Sequence, residues 1–257
     1  MKAGGRFSLE DKVALITGGS RGIGRAAALA FAAAGADVAV ASRKAADLER
    51  VAAEIQKIGR GSLAVQSHIG RMEEIPKLVK SVVEKFGRID ILVNNAGGSP
   101  ALASALEADV RLWDKVMDLN LKGLFFLSQA VAKVMKEKGG GKIINVASID
   151  GFRPDRQIGI YAISKAAVVM ATKVMAKEWA PYNIRVNAIA PGHVRTSLSD
   201  SYLSSEAGME DQMLKRTPLQ RIAQPEEIVG GMIYLASDAS SFVTGETLVI
   251  DGGIMVA

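Results

Sequence analysis

Short runs of apolar and β-branched residues recur along the chain, beginning near Val13, Asp37, Ser62, Ile91, Lys142, Ile184 and Thr247. Stretches with the apolar spacing of helices fill the gaps between them. This rhythm, without an internal linker, repeat or low-complexity segment, predicts a single α/β domain over residues 1–257. About seven strands would form a Rossmann-like, doubly wound parallel sheet with helices on both faces. In such sheets ligands bind beyond the carboxyl ends of the strands, where the strand order reverses. Thr17, Ser42, Asn94, Ser148 and Pro191 are all expected at strand ends. The one long stretch with weak signals, His193 to Arg221, is rich in Ser, Met and Tyr.

Composition narrows the picture. The chain has 257 residues, enough for one domain with a substantial core, and about half are apolar. No run is read as reaching the ~18 residues of a membrane span; the Ala-rich segment from Ala26 is broken by Gly35 and Asp37. The start, Met1-Lys-Ala-Gly-Gly-Arg-Phe-Ser, lacks the apolar core of a secretory signal, so a soluble cytoplasmic protein without a membrane partner is expected. The absence of cysteine excludes disulfides, thiolate catalysis and zinc–thiolate sites. A net charge of +5 is spread along the chain without a basic arm. Nucleic acid is therefore not an expected partner, and the charge reads as a solvated surface with some attraction for anionic cofactors.

Two motifs carry chemistry. Val13-Ala-Leu-Ile-Thr17-Gly18-Gly-Ser20-Arg21-Gly22-Ile23-Gly24 is a short apolar run followed by glycines and then an Ala-rich helical pattern. Gly18 permits a tight turn, Gly22 lets backbone approach a pyrophosphate, and Gly24 lets a helix pack closely with its N–H groups facing the anion. A glycine turn without a ligand is the alternative. The second motif places Tyr161 and Lys165 four residues apart on one helix face, with Ser148 upstream. An ammonium beside a phenol favours phenolate, so Lys165 is expected to pull Tyr161 below its ordinary value near ~10. Ser148 would hold a carbonyl or alcohol oxygen. No metal is expected.

Thr17-Gly18-x-x-x-Gly22-x-Gly24, Asn94-Asn95-Ala96-Gly97, Asn120, Ser148, Tyr161-x-x-x-Lys165 and Pro191-Gly192 occur in one order and spacing. Together they resemble the short-chain dehydrogenase/reductase family, from about Leu9 to Gly253. The resemblance implies a nicotinamide cofactor and a catalytic tetrad of Asn120, Ser148, Tyr161 and Lys165, with Lys165 also on the nicotinamide ribose and Asn120 holding a water. It implies cofactor contacts at Gly18, Ser20, Arg21, Gly22, Ile23, Gly24, Asn95, Ala96 and Gly97. A second group on the nicotinamide side comprises Pro191, Gly192, Val194 and Thr196, and His193 to Arg221 becomes the segment covering the substrate. Asn94 and Asn95 are expected to lock the sheet through side-chain bonds to backbone.

Charge at the end of the second strand favours NADP(H) over NAD(H). Ser42 stands where a carboxylate would receive a ribose hydroxyl, and Arg43 beside it offers a planar fork to a 2′-phosphate, with Arg21 as a second cation. His68, followed by Ile69, replaces the Asp that many relatives direct at adenine. Ser42-Arg43-Lys44 with Ser67-His68-Ile69-Gly70 looks like the NADPH-dependent tetrameric carbonyl reductases of the family.

The reaction implied is hydride transfer between nicotinamide and a small-molecule carbonyl or alcohol. A non-catalytic NADP-binding sensor or scaffold, or another reaction class on the fold such as a dehydratase or epimerase, stays open. The substrate is not fixed: Asp150, Phe152, Arg153, Arg156, His193, Tyr202, Met209 and Met213 give mixed hints. The resemblance implies a homotetramer, in which the long helices around Trp113 to Lys136 and Tyr161 to Ala180 pair across subunits and the carboxyl-terminal segment ending Asp251-Gly-Gly helps a second contact. The apolar residues of these helices, including Leu124, Phe125, Val168 and Met175, fall on more than one face.

Overall fold

The computed structural model describes residues 5–196, 199 and 208–257. Seven strands form where the apolar runs predict them: β1 Val13–Thr17, β2 Asp37–Ser42, β3 Ser62–Gln66, β4 Ile91–Asn94, β5 Gly141–Val146, β6 Ile184–Pro191 and β7 Thr247–Ile250. All pair in parallel, in the order β3-β2-β1-β4-β5-β6-β7. The order reverses between β1 and β4, and a crevice at their carboxyl ends follows from that reversal.

Period-two alternation divides β1 between two cores. Val13 and Leu15 face one core with Leu78, Val82, Leu127, Val131 and Val168. Ala14 and Ile16 face the other with Ala27, Phe31, Leu48, Ile55, Ile228 and Leu235. The first layer is built from α3 Ile75–Phe86, α5 Leu124–Glu137 and α6 Gly159–Trp179. The second is built from α1 Gly22–Ala33, α2 Ala45–Lys57 and the helix Pro225–Ala236. Alanine lines the inner face of α1, which lets that helix lie close to the sheet.

The predicted single helix from Trp113 to Lys136 is instead α4 Val110–Met117, a π-helical turn Asp118–Gly123 and then α5. Packing explains the turn. A Cβ on Gly123 would collide with the Ile69 carbonyl oxygen, so the chain there lies directly against the loop after β3. The extra residue of the π turn rotates Asn120 inward to full burial, where a regular solvent-facing helix would have left it outside.

Two sequence expectations need correction. Leu124, Val168 and Met175 are buried in the protein's own core and Phe125 is half-buried against it, so they are not the residues that face outward. The residues that project outward from these helices are Trp113, Phe126, Ile163, Met170 and Val174, each 40–58% exposed. The stretch Gly159–Tyr182 is also long and apolar enough by composition to cross a membrane. Its polar side chains are tied into the fold: Thr172 accepts a bond from Asn145, and Ser164 accepts one from Asn120.

The stretch His193 to Arg221 contains α7 Met209–Arg216, and the last helix, Pro225–Ala236, is α8. Residues 197–198 and 200–207, among them Tyr202, lie outside the described residues. Arg216 reaches from the end of α7 to Asp155, Nη1 to Oδ2 2.6 Å, bringing this segment to the loop after Ser148.

Candidate active site

The end of β5, the π turn and α6 bring the four predicted catalytic side chains to one region. Ser148 lies two residues beyond β5 in an extended conformation. Its Oγ accepts the Asp150 N–H at 3.2 Å, capping a short 3-10 turn, and donates to Asp150 Oδ2 at 2.9 Å. Tyr161 and Lys165 leave the first turns of α6 on one face. Lys165 Nζ donates to the Val146 carbonyl at 2.7 Å and lies 5.5 Å from the centre of the Tyr161 ring. From the π turn, Asn120 Oδ1 accepts the Gly98 N–H at 2.9 Å and Nδ2 donates to Ser164 Oγ at 3.0 Å. Ser164 Oγ in turn donates to the Tyr161 carbonyl at 2.7 Å. Gly97 joins the two groups, since a Cβ there would stand 3.1 Å from Lys165 Nζ and 3.2 Å from Asn120 Oδ1.

The electrostatics reverse one expectation. Tyr161 is held well above the ordinary phenol value, first by burial and then by the Asp150 carboxylate, with only the Ser148 hydroxyl acting the other way. Lys165 is itself pushed down to about 8 by burial, against a partial rescue from Asp150. Desolvation penalises both charged forms, and the expected pull of Lys165 on the phenol is not among the influences that set Tyr161. The Asp150 carboxyl is raised, by burial first; Ser148, Arg216 and Lys165 oppose the rise and Asp155 adds to it. Sequence reading missed the role of Asp150. Its signal was present, because a Ser two residues before an Asp is a local side-chain capping pattern.

The residues expected to hold a dinucleotide fit one. Gly18 and Gly22 have φ of +64° and +53°, and a Cβ on Gly18 would meet Asn95 Nδ2 at 2.7 Å. Gly24 sits so close to the Gly18 carbonyl that no side chain fits. The first turn of α1 carries no acidic residue, and no side chain caps it, so its N–H groups face outward for an anion. Gly22 also faces the Thr196 side chain, 3.2 Å from where a Cβ would be, so the segment after β6 returns over the glycine turn. At the end of β2, Ser42 Oγ is buried without a hydrogen-bond partner. Arg21, Arg43 and Lys44 have no carboxylate partner among the described residues.

Other predicted residues divide between support and contact. Asn94 locks the sheet as expected, although its Nδ2 bonds side chains, Ser128 Oγ at 2.7 Å and Asn145 Oδ1 at 2.9 Å, not backbone. Asn95 Nδ2 does bond backbone, the Thr17 carbonyl at 2.9 Å. Thr17, unassigned from sequence, accepts the N–H groups of Asn95 and Ala96 at 3.1 Å each and so shapes the loop facing the glycines. His68 donates its N–H to Glu74 Oε2 at 2.6 Å, and its Nδ1 accepts from Gly70 N–H at 3.1 Å. The neighbouring Ile69 side chain is core, and Ile23 is partly buried against the opposite core. Beyond Pro191 and Gly192, Val194 is buried and bridges to Ala223. His193 is held below its ordinary value, mainly by burial and then by Arg216.

Comparison with known proteins places the chain in a family. The family model described as Enoyl-(Acyl carrier protein) reductase matches residues 18–255. Dehydrogenase/reductase SDR family member 4 of Oryctolagus cuniculus is 38% identical over 96% of this chain and 95% of its own length. The NAD-dependent glycerol dehydrogenase of Listeria innocua is 41% identical over 97% and 96%. A gluconate 5-dehydrogenase of Burkholderia cenocepacia, solved with NADP and tartrate, superposes with a TM-score of 0.94 at 38% identity, covering 99% of both chains. With the Ser148–Tyr161–Lys165 grouping in place on a sheet of this order, the chain belongs to the short-chain dehydrogenase/reductase family and is an oxidoreductase that interconverts a carbonyl and an alcohol.

Proposed function

We propose that the enzyme prefers NADP(H) and works as a carbonyl reductase or a sugar or polyol dehydrogenase. The relatives divide on the cofactor, one being NAD-dependent by name and another solved with NADP, so the preference rests on this chain's own residues. The observation that carries it is the end of β2: Ser42 Oγ lacks a partner, Arg43 beside it lacks a carboxylate among the described residues, and no acid stands there to repel a phosphate. Gln66 Nε2 donates to the Arg43 carbonyl at 3.0 Å and fixes the backbone from which that guanidinium extends. His68 Nδ1 is already occupied, which leaves Nε2 to meet the adenine as a donor. The segment 193–221 covers the substrate, tied to the site through Arg216 and Asp155.

When bound, the cofactor supplies or accepts the hydride at the carbonyl carbon. Ser148 and Tyr161 hold the carbonyl oxygen, and Tyr161 gives its proton to that oxygen in reduction. Burial keeps the phenol protonated, which suits an acid. Lys165 stands beside the Tyr161 ring and would hold the nicotinamide ribose. Asn120, fixed by Gly98 and Ser164, connects the ammonium to solvent through water. Replacing Arg43 by Ala removes a charge-assisted contact worth about 1.5–3 kcal/mol, so NADPH affinity falls by roughly one to two orders of magnitude while NADH affinity scarcely changes. Adding Ser42→Asp reverses the preference. Titration calorimetry with both nucleotides reads the difference, and an equal loss for both in the Arg43 variant would overturn the assignment.

A further inference from the structure

The corner of the site beside Ser148 holds a carboxylate that the hydride-transfer reaction does not use. Asp150 is largely buried and forms no ion pair among the described residues. Its Oδ2 takes the proton of Ser148 Oγ at 2.9 Å, and its N–H occupies a lone pair of the same oxygen at 3.2 Å. A serine hydroxyl has one proton to donate. While that proton points at Asp150, Ser148 cannot offer it to a substrate carbonyl, and the oxygen is left to Tyr161 alone.

We infer that Asp150 receives a substrate hydroxyl on the carbon next to the reacting carbonyl, so that α-hydroxy carbonyl compounds and the matching vicinal diols are the preferred substrates. The inference rests on the carbonyl–alcohol reading of the same site. Two vicinal oxygens of such a compound are spaced much as a hydrogen-bonded pair is, and so match the 2.9 Å separation of Ser148 Oγ and Asp150 Oδ2 one to one. The substrate hydroxyl donates to Asp150. That frees the Ser148 proton to turn to the carbonyl oxygen, where charge develops during reduction. A plain ketone brings no donor: it leaves the carboxylate on Ser148 and loses one of its two oxygen contacts.

The surrounding charges favour a neutral hydroxyl over an ammonium. Lys165 and Arg216 already act on Asp150 as cations, with Asp155 as a further anion, and His193 lies near Asp155 and Arg216. An ammonium brought to Asp150 would meet two positive neighbours, whereas a hydroxyl only replaces the donor that leaves.

The test compares matched ketones in the full-length enzyme with NADPH: acetoin against 2-butanone, 2-hydroxycyclohexanone against cyclohexanone, and aminoacetone as the cationic probe. For the native enzyme, kcat/KM should favour each hydroxyketone by roughly ten- to a hundredfold, the scale of one hydrogen bond to a charged group. In Asp150→Ala that ratio should collapse to within about threefold. Hydroxyketone turnover falls, and plain-ketone turnover rises because the Ser148 proton is released. Asp150→Asn keeps an acceptor oxygen and should retain part of the preference. Loss of both ketones in equal proportion in Asp150→Ala, no preference in the native enzyme, or preference for aminoacetone would each overturn the inference while leaving the oxidoreductase reading standing. Absence of NADPH oxidation with every carbonyl, despite tight NADPH binding, would overturn both.

Discussion

Lys165 is 3% exposed, and its ammonium is pushed from 10.5 to about 8 by burial, with Asp150 as the only opposing influence. A drop of that size corresponds to about 3 kcal/mol against the folded state wherever the lysine is charged in both states. The folded value lies below the unfolded one, so between about pH 8 and 10.5 the unfolded chain binds more protons, and stability from this group rises with pH. Below about 8 the cost is fully present. Lys165→Met removes it, along with the bond to Val146 O, whose unpaired carbonyl takes back about 1 kcal/mol. In nucleotide-free protein at fixed concentration, the Met variant should therefore gain relative to the native chain at pH 7 and surrender that gain by pH 10.5. The pH-dependent difference should amount to about 3 kcal/mol, or roughly 6–12 °C in melting temperature for a chain of this length. Thermal melts of both proteins across this range measure it, and subtraction removes the titrating groups that do not act on Lys165. A difference that stays flat with pH would refute the burial argument. The same variant should be inactive, since the buried charge is retained for the chemistry of Tyr161.

Tyr161→Phe removes the transferable proton and leaves the ring packing in place; turnover should fall by at least about a thousandfold while NADPH affinity stays within about threefold, read by stopped assay and calorimetry. Full activity would sink the acid role. The outward apolar face of Trp113, Phe126, Ile163, Met170 and Val174 should be covered in a homotetramer, and light scattering at micromolar concentration should return four times the chain mass. A monomeric mass would refute it.

Strand positions were legible to within a residue because central strands such as Val13–Thr17 and Ile91–Asn94 bury both faces, and a short apolar run between polar stretches has few other uses. The π turn was not legible. Asp118 to Gly123 continues a helical pattern, and the extra residue is imposed by the approach of Gly123 to the Ile69 carbonyl, a contact 54 positions away in sequence. Burial of Asn120 follows from that turn, so its inward orientation could be reached from family resemblance and not from helical spacing. The misassigned apolar residues have the same origin. Periodicity counts faces but cannot tell which face meets the sheet, and Leu124 and Val168 proved to be the inner ones.

Site chemistry divided along a similar line. Spacing alone placed Tyr161 and Lys165 on one face, because four residues along a helix is a local fact. The direction of their titration is a sum over distance. Desolvation comes from the elements packed around α6, and the Asp150 charge enters through a loop that the sequence reading connected with the substrate and not with titration. On an exposed face an ammonium at i+4 pulls a phenol toward phenolate. In this buried pair desolvation is the largest influence on both residues, and each is driven toward its neutral state. The phenol then begins as a proton donor. That makes Asp150 a determinant of direction as well as of fit: its charge opposes the phenolate that alcohol oxidation requires, and a substrate hydroxyl donated to Asp150 Oδ2 takes the place of the Ser148 proton and frees that proton for the reacting oxygen.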